Sequence, residues 1–371
     1  MLPLEKALDQ HTKTGELYDS LEDKVVRCHA CAHRCLILPG KRGICKTRFN
    51  QQGKLLVPTG YVVSAQTDPI EKKPLSHFLP GSDALTFGMM GCNFHCSFCQ
   101  NWVSSQALND GNSRMSASQI QSISAEELVA YAVQSGAQSI VSSYNEPLIT
   151  TEWAVDIFRL AQNNGLRCAY VSNGYATPEV LSYLAPHLDA YKIDLKTMQD
   201  RHYRSMGGKL GPVLESIQKA HQLGLWVEIV TLVIPDFNDS PQELWDIARF
   251  ITSVSRDIPW HVTAFHPDYK MNDRPRTSAA SLQQAAEIGQ EAGLHYVYTG
   301  NLHGRVGSLE DTHCPGCLEK LISRQGYVIT EYKITDKGTC PKCSTKIAGI
   351  WTNQPDTVQP SSGGLPRLIR W

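Results

Sequence analysis

What this chain lacks narrows its class before any motif is read. No window approaches the roughly 18 consecutive apolar residues of a membrane-crossing helix, and residues 1–10, which include Glu5, Lys6 and Asp9, lack the apolar stretch of a secretory leader. Charge of one sign is missing too: 35 Lys and Arg stand against 36 Asp and Glu with no basic run, so nothing argues for a nucleic-acid or membrane surface. There is no internal repeat. With 19% charged and 42% apolar residues the chain can fill a sizeable core, and disorder is expected only at the ends. These absences point to a cytoplasmic protein whose thiols stay reduced, and its twelve cysteines therefore read as metal ligands rather than disulfides.

The cysteines are grouped. Cys28, Cys31, Cys35 and Cys45 form one set, Cys92, Cys96 and Cys99 a second, and Cys314, Cys317, Cys340 and Cys343 a third; Cys168, alone in a strand-like run, reads as a small buried hydrophobe. The middle set has C-x3-C-x2-C spacing directly behind the strand-like residues 84–90. Three thiolates can hold three irons of a cubane, and iron–sulfur clusters normally take four cysteines. A motif that stops at three points to one iron left open for a small molecule. The alternative is half of a zinc site, although zinc usually takes a closed set of four ligands.

Residues 84–300 alternate strand and helix, the pattern of a parallel sheet with covering helices. Strands are expected at 84–89, 139–143, 167–172, 190–195, 226–233, 261–265 and 295–298. Helices are expected at 125–135 behind a Ser124 cap, 151–163, 178–184, 212–223, 241–255 behind a Ser240 cap with Pro241 in the first helical position, and 281–292. In such a sheet the working residues belong at the carboxyl ends of the strands. Polar residues concentrate there: Tyr144-Asn145-Glu146, Ser172-Asn173-Gly174-Tyr175, Asp194 and Lys196, Asp236 and Asn238, and His266-Pro267-Asp268-Tyr269-Lys270.

The outer cysteine sets bracket this core. Cys28, Cys31, Cys35 and Cys45 suit zinc or an auxiliary iron–sulfur cluster, with His29 and His33 as alternative ligands that read more simply as satisfied surface histidines. The last set, C-x2-C-x22-C-x2-C around the strand-rich 326–333, is a zinc-ribbon pattern, with a single-iron rubredoxin-like centre as the alternative. The chain thus divides into an N-terminal extension (1–80), a core (81–305), a ribbon-like module (306–350) and an extended tail (351–371).

The three-cysteine motif, with the aromatic Phe98 before its last cysteine, resembles that of the radical S-adenosylmethionine (SAM) superfamily, and the core resembles enzymes of the pyruvate formate-lyase activating-enzyme type. With both outer cysteine sets, Tyr144-Asn145-Glu146-Pro147, Val171-Ser172-Asn173-Gly174, Asp194-Leu195-Lys196, 260–271 and 296–301, the chain is similar to the AmmeMemoRadiSam system radical SAM enzymes. That resemblance implies a partial (β/α)6 barrel and a [4Fe-4S] cluster on Cys92, Cys96 and Cys99 that cleaves SAM reductively to a 5′-deoxyadenosyl radical. It further implies adenine beside Phe98, Glu146 at the SAM amine where the superfamily has Gly-Gly-Glu, and Asn173, Asp194 and Lys196 at the ribose and methionyl carboxylate. The partners it implies are a low-potential donor such as flavodoxin or ferredoxin, a Memo-like protein and an AMMECR-type protein. His266, Asp268 and Tyr269 are the substrate candidates, since the SAM reading does not require them. A glycyl-radical-enzyme activase and a metal-stabilised interaction module are the competing readings.

Overall fold

The computed structural model describes residues 3–358 and 367–368. Its centre is a sheet in which β1 (Ser64–Pro69) pairs antiparallel with β2 (Asp83–Gly88). β2 then starts a parallel series in chain order: β3 (Ser139–Ser142), β4 (Arg167–Ser172), β5 (Ala190–Asp194), β6 (Trp226–Val233), β7 (Trp260–Ala264) and β8 (Val297–Gly300). The order is linear, and β8 does not pair back to β1 among the described residues. All seven expected parallel strands are present. Their near-continuous burial fits strands covered on both faces.

The covering helices are α1 (Ala125–Gln134), α2 (Thr151–Asn163), α3 (Pro178–Leu184), α4 (Leu210–Gln222), α5 (Pro241–Val254) and α6 (Ala279–Glu291). Their starts follow from side chains that accept orphan amides. Ser124 Oγ takes Glu127 N while the Glu127 carboxylate takes Ser124 N, a complete capping box, and Ser240 Oγ takes Glu243 N ahead of Pro241. Three expected starts shift by two residues, the first being α4, which begins at Leu210 instead of 212. Ser278 Oγ accepts from Ser281 N, so α6 begins at Ala279 and Ser281 lies inside it. His295 is turned toward Asp257 at 2.8 Å, and β8 starts two residues later than expected.

The N-terminal residues form short antiparallel sheets whose apolar residues, among them Val26, Ile37, Leu55 and Val57, share one core with the central sheet. Arg48 and Glu152, both fully buried, clamp them to α2 through two bonds of 2.7 Å. At the other end β9 (Thr312–His313), β10 (Lys320–Gln325) and β11 (Val328–Tyr332) make a three-stranded antiparallel sheet around a second apolar cluster that borrows Tyr296 and Tyr298. Buried His77 joins the two parts, bonding Ala348 O and Tyr298 Oη at 2.6 Å each. Part of the expected tail is not simply extended: Pro355–Thr357 is a short 3₁₀ turn and Arg367–Leu368 pairs antiparallel with β1, while residues 359–366 and 369–371 lie outside the described residues. No helix among the described residues is long and apolar enough to cross a membrane.

Candidate functional site

Every parallel strand from β2 to β8 delivers its carboxyl end to one cleft of about 1460 Å³, open space included. Cys92, Cys96 and Cys99, with Phe94 and Phe98, form one wall from the loop after β2. That loop turns at Gly91, which has φ +97; a Cβ there would lie 2.7 Å from Thr47 Cγ2, so neither the conformation nor the space admits a side chain. Phe94 N donates to Cys92 Sγ at 3.3 Å, and Ser105 Oγ lies 3.2 Å from Cys99 Sγ. Burial pushes all three thiols up, Cys96 to about 12. Sulfur so placed gives up its proton to a metal rather than to water. No fourth cysteine lines the cleft among the described residues, so the donor set fits a cluster with one iron unprotected.

Glu146 is buried beside Cys92, and its carboxylate accepts from Leu148 N (3.0 Å), Ser172 Oγ (2.7 Å) and Asn173 N (2.8 Å). Burial raises it to about 7 against the pull of those donors. Tyr144, at the position where the resemblance expects a glycine, holds φ +70, the left-handed conformation glycine takes freely. Gln66 Nε2 donates to its hydroxyl at 2.6 Å, so contacts of the aromatic arm hold a backbone that the side chain itself disfavours. Asn145 Oδ1 takes Met89 N at 3.0 Å, tying this loop to the end of β2.

Asp194 lies between two lysines. Lys192 donates to Oδ1, and Lys196 Nζ lies 3.1 Å from Oδ2. Burial works against the Asp194 charge, but the two ammonium groups hold its carboxyl down to about 2. Burial likewise opposes the charge of Lys196, which the Asp194 carboxylate keeps raised. Lys192 escaped the sequence reading, although the period of two along a strand puts 192, 194 and 196 on one face. Lys72, Lys73, Thr263, Asn301 and Tyr327 also line the cleft unforeseen. Tyr327 comes from the turn between β10 and β11, a contribution that no local pattern announces.

The remaining candidates divide. Phe98, Asn173, Asp194 and Lys196 line the cleft, with Lys196 Nζ 5.9 Å from the Phe98 ring centre and Asn173 Nδ2 donating to Asn93 Oδ1 at 2.7 Å. His266, Asp268 and Tyr269 are not among its lining residues. Tyr269 stacks on Trp102 at 5.0 Å and gives its hydroxyl proton to Asp110 at 2.6 Å, while Lys270 N donates to Ser97 O, so this loop braces the segment after the cysteines. His266 meets Gln100 at 3.2 Å and Asp268 at 4.0 Å. Asn238 spends its side chain on Lys196 O, Leu232 O and Ile234 N. His29 and His33 are satisfied as expected, by Asp19 at 2.8 Å and by Asn93 O at 2.9 Å, but His29 is buried rather than at the surface. Cys168 is fully buried, as a small hydrophobe should be.

Cys314, Cys317, Cys340 and Cys343 meet closely: Cys314 and Cys343 Sγ lie 3.5 Å apart, Cys317 and Cys340 Sγ 3.7 Å, and all four lie within 4.8 Å of one another. This group could hold a single metal ion.

Fold and cleft together define a class: an α/β protein that presents three cysteines and several buried charges at the carboxyl ends of parallel strands. Residues 88–251 match the family model of the Radical SAM superfamily. An uncharacterized protein of Methanocaldococcus jannaschii is 38% identical over 335 residues, covering 89% of this chain and 97% of the relative. The pyruvate formate-lyase-activating enzyme of Clostridium pasteurianum is 25% identical over 213 residues, 52% of this chain and 84% of that one. A domain of pyruvate-formate lyase-activating enzyme from Bacteroides vulgatus overlays with a TM-score of 0.40 at 20% identity, over 44% of this chain and 100% of that domain. The chain belongs to the radical SAM superfamily and is a radical SAM enzyme.

Proposed function

We propose that Cys92, Cys96 and Cys99 ligate a [4Fe-4S] cluster, that SAM lies across the cleft from it, and that the enzyme abstracts hydrogen from an unidentified substrate. Cluster and SAM together supply a 5′-deoxyadenosyl radical by one-electron reductive cleavage of the sulfonium. The protein's part is to bind, orient and keep water out. Phe98, with Val230 and Leu232, offers the apolar slot for adenine. Lys196 is placed for the methionyl carboxylate, and Asn173 and Asp194 for the ribose hydroxyls. Glu146, held by three donors, orients the SAM amine from a fixed position.

The observation that carries this reading is three thiols, Cys96 buried and Cys92 and Cys99 half-buried, without a fourth among the described residues, lining a cleft that already holds Asp194 between two lysines. The rest of the proposal follows the resemblance. The electron comes from a low-potential donor of the flavodoxin or ferredoxin kind, Memo-like and AMMECR-type proteins are the partners, the cytoplasm is the compartment, and zinc fills the Cys314-to-Cys343 group. The Lys72, Lys73 and Tyr327 side of the cleft receives the substrate in preference to the loop at 266–270. The test is anaerobic purification followed by 5′-deoxyadenosine release under dithionite. Replacing Cys92, Cys96 and Cys99 together by Ala must abolish release, and surviving cleavage refutes the reading. Asp194→Ala or Lys196→Ala should weaken SAM binding at unchanged cluster content; unaltered affinity in both would make these residues structural.

A further inference from the structure

Behind the cysteine loop lies a second pocket of about 300 Å³, open space included, and Cys28, Cys31, Cys35 and Cys45 all line it. Cys28, Cys31 and Cys45 are buried, and apart from Arg48 the rest of the wall is mostly apolar, with Ile37 and Ile149 among it. Two features say what this cavity is built to hold.

The first is spacing. One zinc ion with four bonds of about 2.3 Å draws its sulfurs into close mutual contact, as the Cys314-to-Cys343 group does within 4.8 Å. Among the described residues no three of the N-terminal cysteines and their neighbouring histidines come that close, although all four thiols face the same space. Cys92, Cys96 and Cys99 show the same combination of one shared cavity and sulfurs wider than single-ion spacing. A cubane asks for this, because each thiolate holds a different iron.

The second is charge. Arg48, a lining residue of this pocket, is 1% exposed and gives Nη1 and Nη2 to Glu152, yet its Nε is buried with no hydrogen-bond partner. A buried donor left open in this way costs free energy unless an anion meets it. A cluster bound by four thiolates is such an anion.

We propose that Cys28, Cys31, Cys35 and Cys45 hold a second [4Fe-4S] cluster with a full set of four protein ligands, rather than zinc. It sits directly behind the first cysteine loop. His33 Nε2 bonds Asn93 O, and a Cβ on Gly91 would lie 3.2 Å from Cys45 O, so the N-terminal cysteine segment touches both residues flanking Cys92. A complete ligand set leaves no iron open, so this cluster binds no SAM and its chemistry is limited to taking and giving single electrons.

The full chain, purified anaerobically, tests this by iron, sulfide and zinc analysis with low-temperature EPR after dithionite. The wild type should carry about eight irons and about one zinc. The Cys92, Cys96, Cys99→Ala variant should keep about four irons and a reducible cluster signal. About four irons and about two zincs in the wild type overturn the proposal, as does a folded triple variant without iron. Should the triple variant misfold, the wild-type metal counts decide alone. A triple variant that retains about eight irons would instead refute the ligands assigned in the cleft, so the two failures are distinguishable.

Discussion

The two groups of four cysteines have the same number of thiols and share a C-x2-C opening, yet they are built in different ways. The C-terminal group is made by its own backbone. Each knuckle is followed by a left-handed residue, Leu318 and Ser344, both with φ +61, and in each the amide of the first cysteine bonds a carbonyl five residues on, at Glu319 and Thr345. Two copies of one local turn bring four sulfurs together, partly exposed at the surface. The N-terminal group depends on the rest of the molecule. Its cavity is closed by Ile149 and Arg48, Arg48 is held by Glu152 of α2, and Thr177 just before α3 donates to His29 O. The sulfurs are spread where the first group's are gathered. A cysteine count therefore says that metal can bind, while the backbone around it says how many atoms that metal site must span.

The sharpest way to break the comparison is to remove the ligands proposed for zinc at one end. Structural zinc contributes roughly 10–16 kcal/mol in small domains, so Cys317→Ala with Cys340→Ala should melt the C-terminal sheet while the central sheet survives. Limited proteolysis and mass spectrometry would show cleavage confined to residues beyond β8. Cuts throughout the chain would mean that the module is not built from its own turns.

Arg48→Met tests the dependence of the other end. It leaves Glu152 buried and unpaired, a change that typically costs about 3–5 kcal/mol, and it opens the wall of the N-terminal cavity. Denaturant unfolding should show the loss, with iron at the N-terminal cysteines falling in parallel. An Arg48→Met protein of wild-type stability would mean that the clamp is not what holds the cavity shut.

His77 tests how the C-terminal module is docked. Burial lowers it to about 4, and it bonds Ala348 O and Tyr298 Oη as a neutral ring. An unfolded histidine takes up its proton near pH 6.5 and the folded one does not, so this contribution is complete above about 6.5 and is lost as pH falls toward 4. The full loss is on the order of 3 kcal/mol. Glu71, which burial raises to about 7, acts in the opposite sense, so the readout is the difference between wild type and His77→Gln. Hydrogen exchange in β9–β11 should lose protection on acidification in the wild type and depend less on pH in the variant. Equal pH dependence in both would exclude His77 as the cause.

The smallest effect sets the scale for the others. Lys333 pairs with Glu319 and Glu331 at 3.2 Å each, but at the surface, and Lys333→Ala should leave the denaturant midpoint close to that of the wild type. A larger loss would show that the exposed module is coupled to its surface charges in a way its knuckles do not reveal.

Much of the molecule was legible because its signals are local. Strand and helix alternate with the right periods, Ser124 and Ser240 announce their helices, and a hydrogen bond within three residues confirms each. The three-cysteine loop and the C-terminal knuckles are equally short-range. Where the reading strayed, the deciding contact came from far along the chain. The loop at 266–270 has the polar and aromatic residues of a binding segment, but Asp110 and Trp102 draw Tyr269 away from the cleft. Tyr327 enters the cleft from the ribbon, whereas Lys192 joins Asp194 and Lys196 through the strand's own period of two, a local signal that the reading did not use.

The sequence by itself determined the class of protein, the order of strands and helices, and the three cysteine sets, since each rests on residue type and on spacings of a few positions. Tertiary structure alone decided which polar residues share the cleft, that Tyr144 holds a conformation suited to glycine, and that the N-terminal thiols line one pocket without the close spacing of the C-terminal four. The reason is physical. Period and capping act through the backbone of neighbouring residues, whereas the width of a cavity, the burial of Arg48 against Glu152 and an unmatched Nε are set by elements separated by a hundred residues of chain and joined only by folding.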